Sequence, residues 1–249
     1  MRIAVISDIH GNRVALDAVC ADWAADPPDQ VVCLGDAIQG GAQPAETVAR
    51  LRALACPVVM GNADAWLLTG QVTGTSEPVS AVQEAVRAWS LAQLSVADRA
   101  FIAAFPPTVE IALDGGQRLV GFHGSPQSFD ELIFPETPEA ELESLLGRYR
   151  GAVLTGGHTH LQQIRRFGDA FFFNPGSVGL AYARHQPADH FRPDPWAEYA
   201  LLTATAGHLR LEFRRVPFDV AAWCRVIRAS GRPDAATVLA QYAPDAGPP

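Results

Sequence analysis

The chain opens with an unbroken apolar run, Ile3 to Ile6, that gives way abruptly to Ser7 and Asp8. A short run without polar alternation predicts a strand covered on both faces, which puts Asp8 at a strand's carboxyl end. From Asn12 the apolar positions Val14, Ala15, Ala18, Val19 and Trp23 recur at helical spacing until Pro27 and Pro28 close the segment. The unit then returns twice. Val31 to Leu34 leads through a loop to a helix from Pro44 to about Leu54, and Val58 to Met60 leads through Gly61 and Asn62 to another. Strands followed by helical crossovers predict a parallel sheet in an α/β fold.

From Pro78 to about Ala104 the pattern is helical, with Ser95 and Asp98 spaced as a capping box for a second short helix. The texture then changes. Val109 to Leu113 and Arg118 to Phe122 flank Asp114, Gly115 and Gly116, which predicts a hairpin. A helix from about Pro138 to Tyr149, capped by Thr137, precedes the strand Ala152 to Leu154. Strands near Gln163 to Arg166 and Ala170 to Phe173 end at Asn174, Pro175, Gly176 and Ser177. Residues Tyr182 to Trp196 hold three prolines without periodicity and read as an irregular surface loop. Tyr199 to Ala204 and Leu209 to Val216 predict a closing hairpin, followed by one or two helices and a frayed Pro/Gly-rich tail at about 243–249. With no internal repeat or linker, residues 1–249 are expected to form a single domain.

Composition narrows the field. Apolar residues at 48% and charged residues at 18% predict a folded chain with a substantial core. A formal charge of −8 argues against an extended nucleic-acid surface, so any affinity for phosphate must be local. All 19 basic residues are arginine, which excludes Schiff-base and P-loop chemistry. Cys20, Cys33, Cys56 and Cys224 lie far apart, with no CxxC pair, and each reads as a small buried apolar residue. No segment approaches the roughly 18 apolar residues of a membrane span or a signal sequence's apolar region, so a reducing cytoplasm is the expected location and no membrane partner is expected.

Seven residues stand out because each follows a predicted strand. They are Asp8, His10, Asp36, Asn62, His123, His158 and His160. Loops at the carboxyl ends of strands in an α/β sheet converge on one crevice, so these positions can meet. Two carboxylates, four imidazoles and one amide oxygen suit intermediate divalent metals such as Mn, Fe, Zn, Co or Ni, with Mn favoured. That many donors exceeds one open metal site, whereas two metals sharing a bridging carboxylate use all seven. Such a pair leaves the site locally positive, acidifies a shared water and clamps phosphoryl oxygens. Hydrolysis of a small phosphate ester is the expected reaction.

The blocks SDIHGN, LGD, MGN, FHGSP, GGHTH and NPGSVG, running from Ser7 to Gly179, resemble the calcineurin-like metallophosphoesterases. GNRVALDAV and NPGSVG are most similar to its small bacterial phosphodiesterase-like branch. The resemblance implies a four-layer α/β/β/α sandwich with two central mixed sheets. It also implies one metal on Asp8, His10, Asp36 and His160, a second on Asp36, Asn62, His123 and His158, and catalytic parts for Asp36, Asn62 and His123. One departure matters. Many members follow GN with a histidine that protonates the leaving group, and Ala63 stands there here, followed by Asp64.

Taken singly, each block is also explained by a buried Asp or a turn; in order at strand ends, together, they favour a metal site. Asn12, Asn174 and Ser177 are more simply turn residues, and Arg184, His185, His190 and Arg192 more simply solvate a loop. Trp66, Phe129, Tyr182 and Trp196 are read as packing rather than stacking platforms, and Asp64 as either a supporting acid or a helix N-terminal residue. The favoured function is phosphodiester hydrolysis, with nucleotide esters among the candidate substrates and homo-oligomerisation left open. A phosphomonoesterase or protein phosphatase is the runner-up, lowered because Asp36 precedes Ala37, Ile38, Gln39 and two glycines rather than the phosphatase-like GDxxDRG. A non-catalytic metal-binding scaffold of the same fold is the third reading.

Overall fold

The computed structural model describes residues 1–72, 78–187 and 190–242. The expected tail at 243–249 lies outside the described residues. Two mixed sheets stack face to face. The first has the order β2 (Gln30–Cys33), β1 (Arg2–Ile6), β8 (Trp196–Thr205), β9 (His208–Pro217). The second has the order β3 (Thr108–Ala112), β4 (Arg118–Phe122), β5 (Val153–Thr155), β7 (Ala170–Asn174), β6 (Gln163–Phe167).

Strand alternation sorts side chains into three apolar layers. Ala4 and Ile6 of β1 and Tyr199 and Leu201 of β8 face the helices α1 (Arg13–Asp22), α2 (Pro44–Leu54) and α3 (Asn62–Thr69). Ile3 and Val5 point the other way and meet Val32, Leu119, Val153 and Phe173 between the sheets. Val120, Phe122, Leu154 and Phe172 leave the second sheet outward and are covered by Leu142 and Leu146 of α6 (Glu139–Leu146). The result is helix, sheet, sheet, helix, the architecture the resemblance implies. It explains why β1 is apolar without a break from Ile3 to Ile6, since both faces of that stretch are covered.

The parallel pairing expected from the first strand-helix units holds for β1 and β2, within sheets that are mixed as the resemblance implies. β1 pairs parallel with β2 but antiparallel with β8, and β4, β5 and β7 run parallel between antiparallel edges. Val58 to Met60 does not form a strand: it contributes a single bridge, Val58 to Cys33, before Met60 N turns to Pro106 O. Pro57 lacks a donor and Met60 N is taken by Pro106 O, so the pairing with Cys33 is not extended on either side. Thr137 is no cap either. Its Oγ1 accepts from Phe134 N, Pro138 takes the N-cap position, and the helix tightens to a 3₁₀ turn at Gly147–Tyr149. The capping box on α5 (Val96–Ala103) forms as expected, and α4 (Ala81–Gln93) has a second from Ser80 and Gln83. The chain closes with α7 (Val220–Ala229) and α8 (Ala235–Gln241) packed on each other. No helix among the described residues is long and apolar enough to cross a membrane.

Candidate metal centre

The carboxyl ends of β1 and β2 in one sheet and of β4 and β5 in the other meet at one edge of the sandwich. Asp8 and His10 follow β1, Asp36 follows β2, His123 follows β4, and His158 and His160 follow β5. Asn62 is the first residue of α3. The side chains gather into two half-sites: Asp8, His10 and His160 in one, Asp36, His123 and His158 in the other. Asn62 joins the second, its Oδ1 2.9 Å from His123 Nε2. Asp36 Oδ2 reaches both halves, 3.4 Å from His123 Nε2 and 3.9 Å from His10 Nε2.

Three imidazoles are oriented from behind. Nδ1 of His10 meets Gln39 O at 2.8 Å, that of His123 meets Leu34 O at 2.8 Å, and that of His160 meets Leu180 O at 2.7 Å. A carbonyl can only accept, so Nδ1 carries a proton and, in the neutral ring, Nε2 offers a lone pair inward. The Nε2 atoms of His10 and His160 lie 3.0 Å apart. Asp8 Oδ1, buried beside them, has no hydrogen-bond partner among the described residues. Converging lone pairs and carboxylate oxygens repel unless a cation sits among them, and these donors fit a divalent metal in each half.

The electrostatics of the cluster point the same way. Burial opposes charge on His123, but the Asp36 carboxylate outweighs it and raises the ring to about 9. Burial likewise opposes charge on His160, and Asp8 outweighs it. His10 and His158 are pushed down by burial and by the charge on their raised neighbours. Each half-site therefore attracts one positive charge even as a proton.

The backbone is shaped for this convergence. Among the described residues, seven non-glycine residues have left-handed φ, and five of them are Asp8, His10, Asp36, His158 and His160. Each such conformation costs about 1–2 kcal/mol, with Asp and His more tolerant than most, and strain of this kind gathers where a function fixes the side chain. Cross-links hold it: Asp8 N donates to Gly35 O, His10 N to Asp36 O, and His158 N to Asp8 Oδ2. Asn12, Asn174 and Ser177 are turn residues, as the sequence suggests, yet each also ties the site loops. Asn12 Nδ2 donates to Gly179 O, Asn174 Nδ2 to Gly157 O, and Ser177 Oγ to Asp8 O.

Asp64 has a supporting place. Its carboxylate is fully buried and accepts from Ala37 N and Ile38 N, which fixes the turn that carries Asp36. Burial, followed by the neighbouring Asp36 charge, lifts it to about 7. Both oxygens are occupied and enclosed, so Asp64 is not positioned to protonate a leaving group. Arg184 is turned away, paired with Glu136 and lying over Phe134. Tyr182 does approach the site, its ring 5.5 Å from that of His160. The sequence reading missed Arg232, whose side chain is buried beside Gly40. It lies beyond every motif block, and nothing local marks it.

Glycine permits the closest approaches. A Cβ on Gly61 would overlap the Asp36 carboxylate and its backbone nitrogen. Gly61→Ala is expected to destabilise the protein by about 2–3 kcal/mol, since neither the turn nor the carboxylate can retreat. Thermal unfolding checks this as a fall of about 5–10 °C in Tm, and an unchanged Tm would show that Asp36 has room to move.

The chain belongs to the calcineurin-like phosphoesterase superfamily, whose domain model matches residues 1–192. It is therefore of a family of divalent-metal phosphoesterases. A metallophosphoesterase from Sphaerobacter thermophilus is 26% identical, with 97% of this chain and 98% of that one aligned at a TM-score of 0.71. A hypothetical protein from Pyrococcus horikoshii, PH1004, shares the fold at a TM-score of 0.78 with 20% identity, over 96% and 97% of the two chains. In sequence, the uncharacterized protein MJ0912 of Methanocaldococcus jannaschii is 27% identical over 235 residues, 88% of each chain.

Proposed function

We propose that the protein is a binuclear metal-dependent phosphoesterase that favours phosphodiesters. The observation that supports this most is Asp36 Oδ2 standing between two half-sites, each with its own carboxylate or amide oxygen and paired imidazoles. Asp8, His10, Asp36 and His160 would hold one metal, and Asp36, Asn62, His123 and His158 the other. Bound there, two divalent cations would supply an acidified water and charge to offset the phosphoryl oxygens. The chain's own part is to orient the ligands. The carbonyls of Gln39, Leu34 and Leu180 fix three ring tautomers, and the amides of Ala37 and Ile38 fix Asp64 behind the Asp36 turn. Because Ala63 offers no proton and Asp64 is enclosed, the departing group leaves as an anion or takes its proton from solvent.

Elemental analysis under metal-saturating conditions is expected to give two transition metals per chain, with metal-dependent release of nitrophenolate from bis(p-nitrophenyl) phosphate. A ceiling of one tightly bound metal would refute the binuclear assignment. Faster turnover of p-nitrophenyl phosphate than of the diester would favour the monoesterase instead.

A further inference from the structure

Past His10 and Asn62 the site opens into a cavity of about 430 Å³. That is within the usual range for a small-molecule pocket. One wall is apolar, built from Trp66 of α3, Val72, Val79, and Val82 and Val86 of α4. Val82 and Val86 stand four apart on one helical face, and Val82 and Val72 remain 55% and 43% exposed. Val72 and Val82 are not consumed by the core, whereas Val86 is buried. Much of the polar lining is already partnered. The Arg232 guanidinium holds Asp234 at 2.6 and 2.9 Å and Gly40 O at 2.9 Å, and Gln83 Oε1 accepts from Ser80 N. Asp130 adds a carboxylate to the lining, which disfavours a second anionic group. Only Trp66 Nε1 and Gln39 Oε1 among the lining side chains are buried polar atoms without a partner.

We propose that this cavity is the subsite for one organic substituent of a phosphate ester, and that the substrate class is esters carrying a compact, uncharged, mainly apolar group such as an aryl or branched alkyl chain. The inference rests on the phosphate being held at the His10 and Asn62 end, as proposed above. An apolar substituent covers the valine wall and gains by leaving water, whereas a polyol or a second phosphate loses hydration and meets groups that are already paired or negative.

Binding calorimetry on the full chain saturated with Mn²⁺ tests this without turnover, using methylphosphonate, phenylphosphonate and 2-carboxyethylphosphonate as probes. Phenylphosphonate is expected to bind about tenfold or more tightly than methylphosphonate, and the carboxyethyl compound no more tightly than methyl. In the double variant Val72→Asn, Val82→Asn, whose exposed positions leave folding intact, the phenyl-to-methyl ratio should fall below about threefold. Val79→Trp should fill the cavity and remove the preference, with methylphosphonate as the reference. Equal binding of all three probes by the wild type, or a ratio unchanged in both variants, overturns the subsite and leaves the metal assignment standing. Metal uptake without binding of any phosphonate overturns it too, because the anchor is absent. Failure to take up metal at all refutes the function proposed above and this inference together.

Discussion

Asp36→Asn is expected to lower phosphoesterase turnover by about 10³-fold or more and to reduce bound metal from two per chain to one or none. Its carboxylate faces both candidate half-sites: Oδ2 lies 3.4 Å from His123 Nε2 and 3.9 Å from His10 Nε2. The substitution keeps shape and keeps an acceptor for Ala63 N, which now donates to Asp36 Oδ1 at 2.8 Å, so the fold should survive. What is lost is the charge. Elemental analysis and kcat/KM on the folded variant check the result, with circular dichroism as the control. Activity within tenfold of wild type would mean that Asp36 does not bridge, and the two halves would then have to work singly.

The metal-free protein is expected to lose stability as pH rises above neutrality, and metal should abolish that loss. The His123 ring is raised from its ordinary 6.5 to about 9 in the folded state, so its contribution is full below pH 6.5 and lost as pH climbs through 9. His160 is raised as well and acts in the same direction. Asp8 and Asp36 are held low by these rings, so their contribution is present above about 3.8 and lost in acid. The His123 shift corresponds to about 3 kcal/mol at most, roughly 5–10 °C in Tm between pH 7 and 9.5. With divalent metal in excess the ligands are already deprotonated and attracted to the cation, and the profile over that window should be flat. Calorimetric scans with chelator and with metal compare the two. Parallel alkaline slopes would show that metal does not occupy the place of these protons.

Much of this architecture is legible in the sequence because the strands that lead into the site are short and mostly buried, so each apolar run ends close to a candidate ligand. Asp8 after Ile6, His123 after Phe122 and His158 after Thr155 all follow that rule. The pattern also placed the hairpin around Gly115 and both helices between Ala81 and Ala103. It did not yield how strands distant in sequence pair. Nothing in the run from Trp196 to Thr205 announces that it inserts beside β1 as an antiparallel partner, a pairing fixed only by the packing of distant segments. Val58 to Met60 looked like a strand because composition does not reveal that its neighbour ladder has space for one bridge. The cavity wall was invisible for a different reason. Val82 and Val86 have the spacing of any amphipathic helix, and only the fold shows that the space in front of them is left open beside the site.

The candidate ligands are divided between two bodies. Asp8, His10 and Asp36 ride on the first sheet and His123, His158 and His160 on the second, while Ile3, Val5, Leu34 and Phe173 form the layer between them. The half-sites do not divide the same way, since His10 and His160 share one and Asp36 and His123 share the other. Each half-site therefore works as a caliper with one jaw on each sheet. Any slip or spreading of the sandwich, even one begun by a lost methyl group deep in the intersheet layer, opens both calipers at once. In such a design metal affinity would gauge how the two sheets are seated, and the protein's chemistry would be set as much by that distant apolar layer as by the candidate ligands themselves.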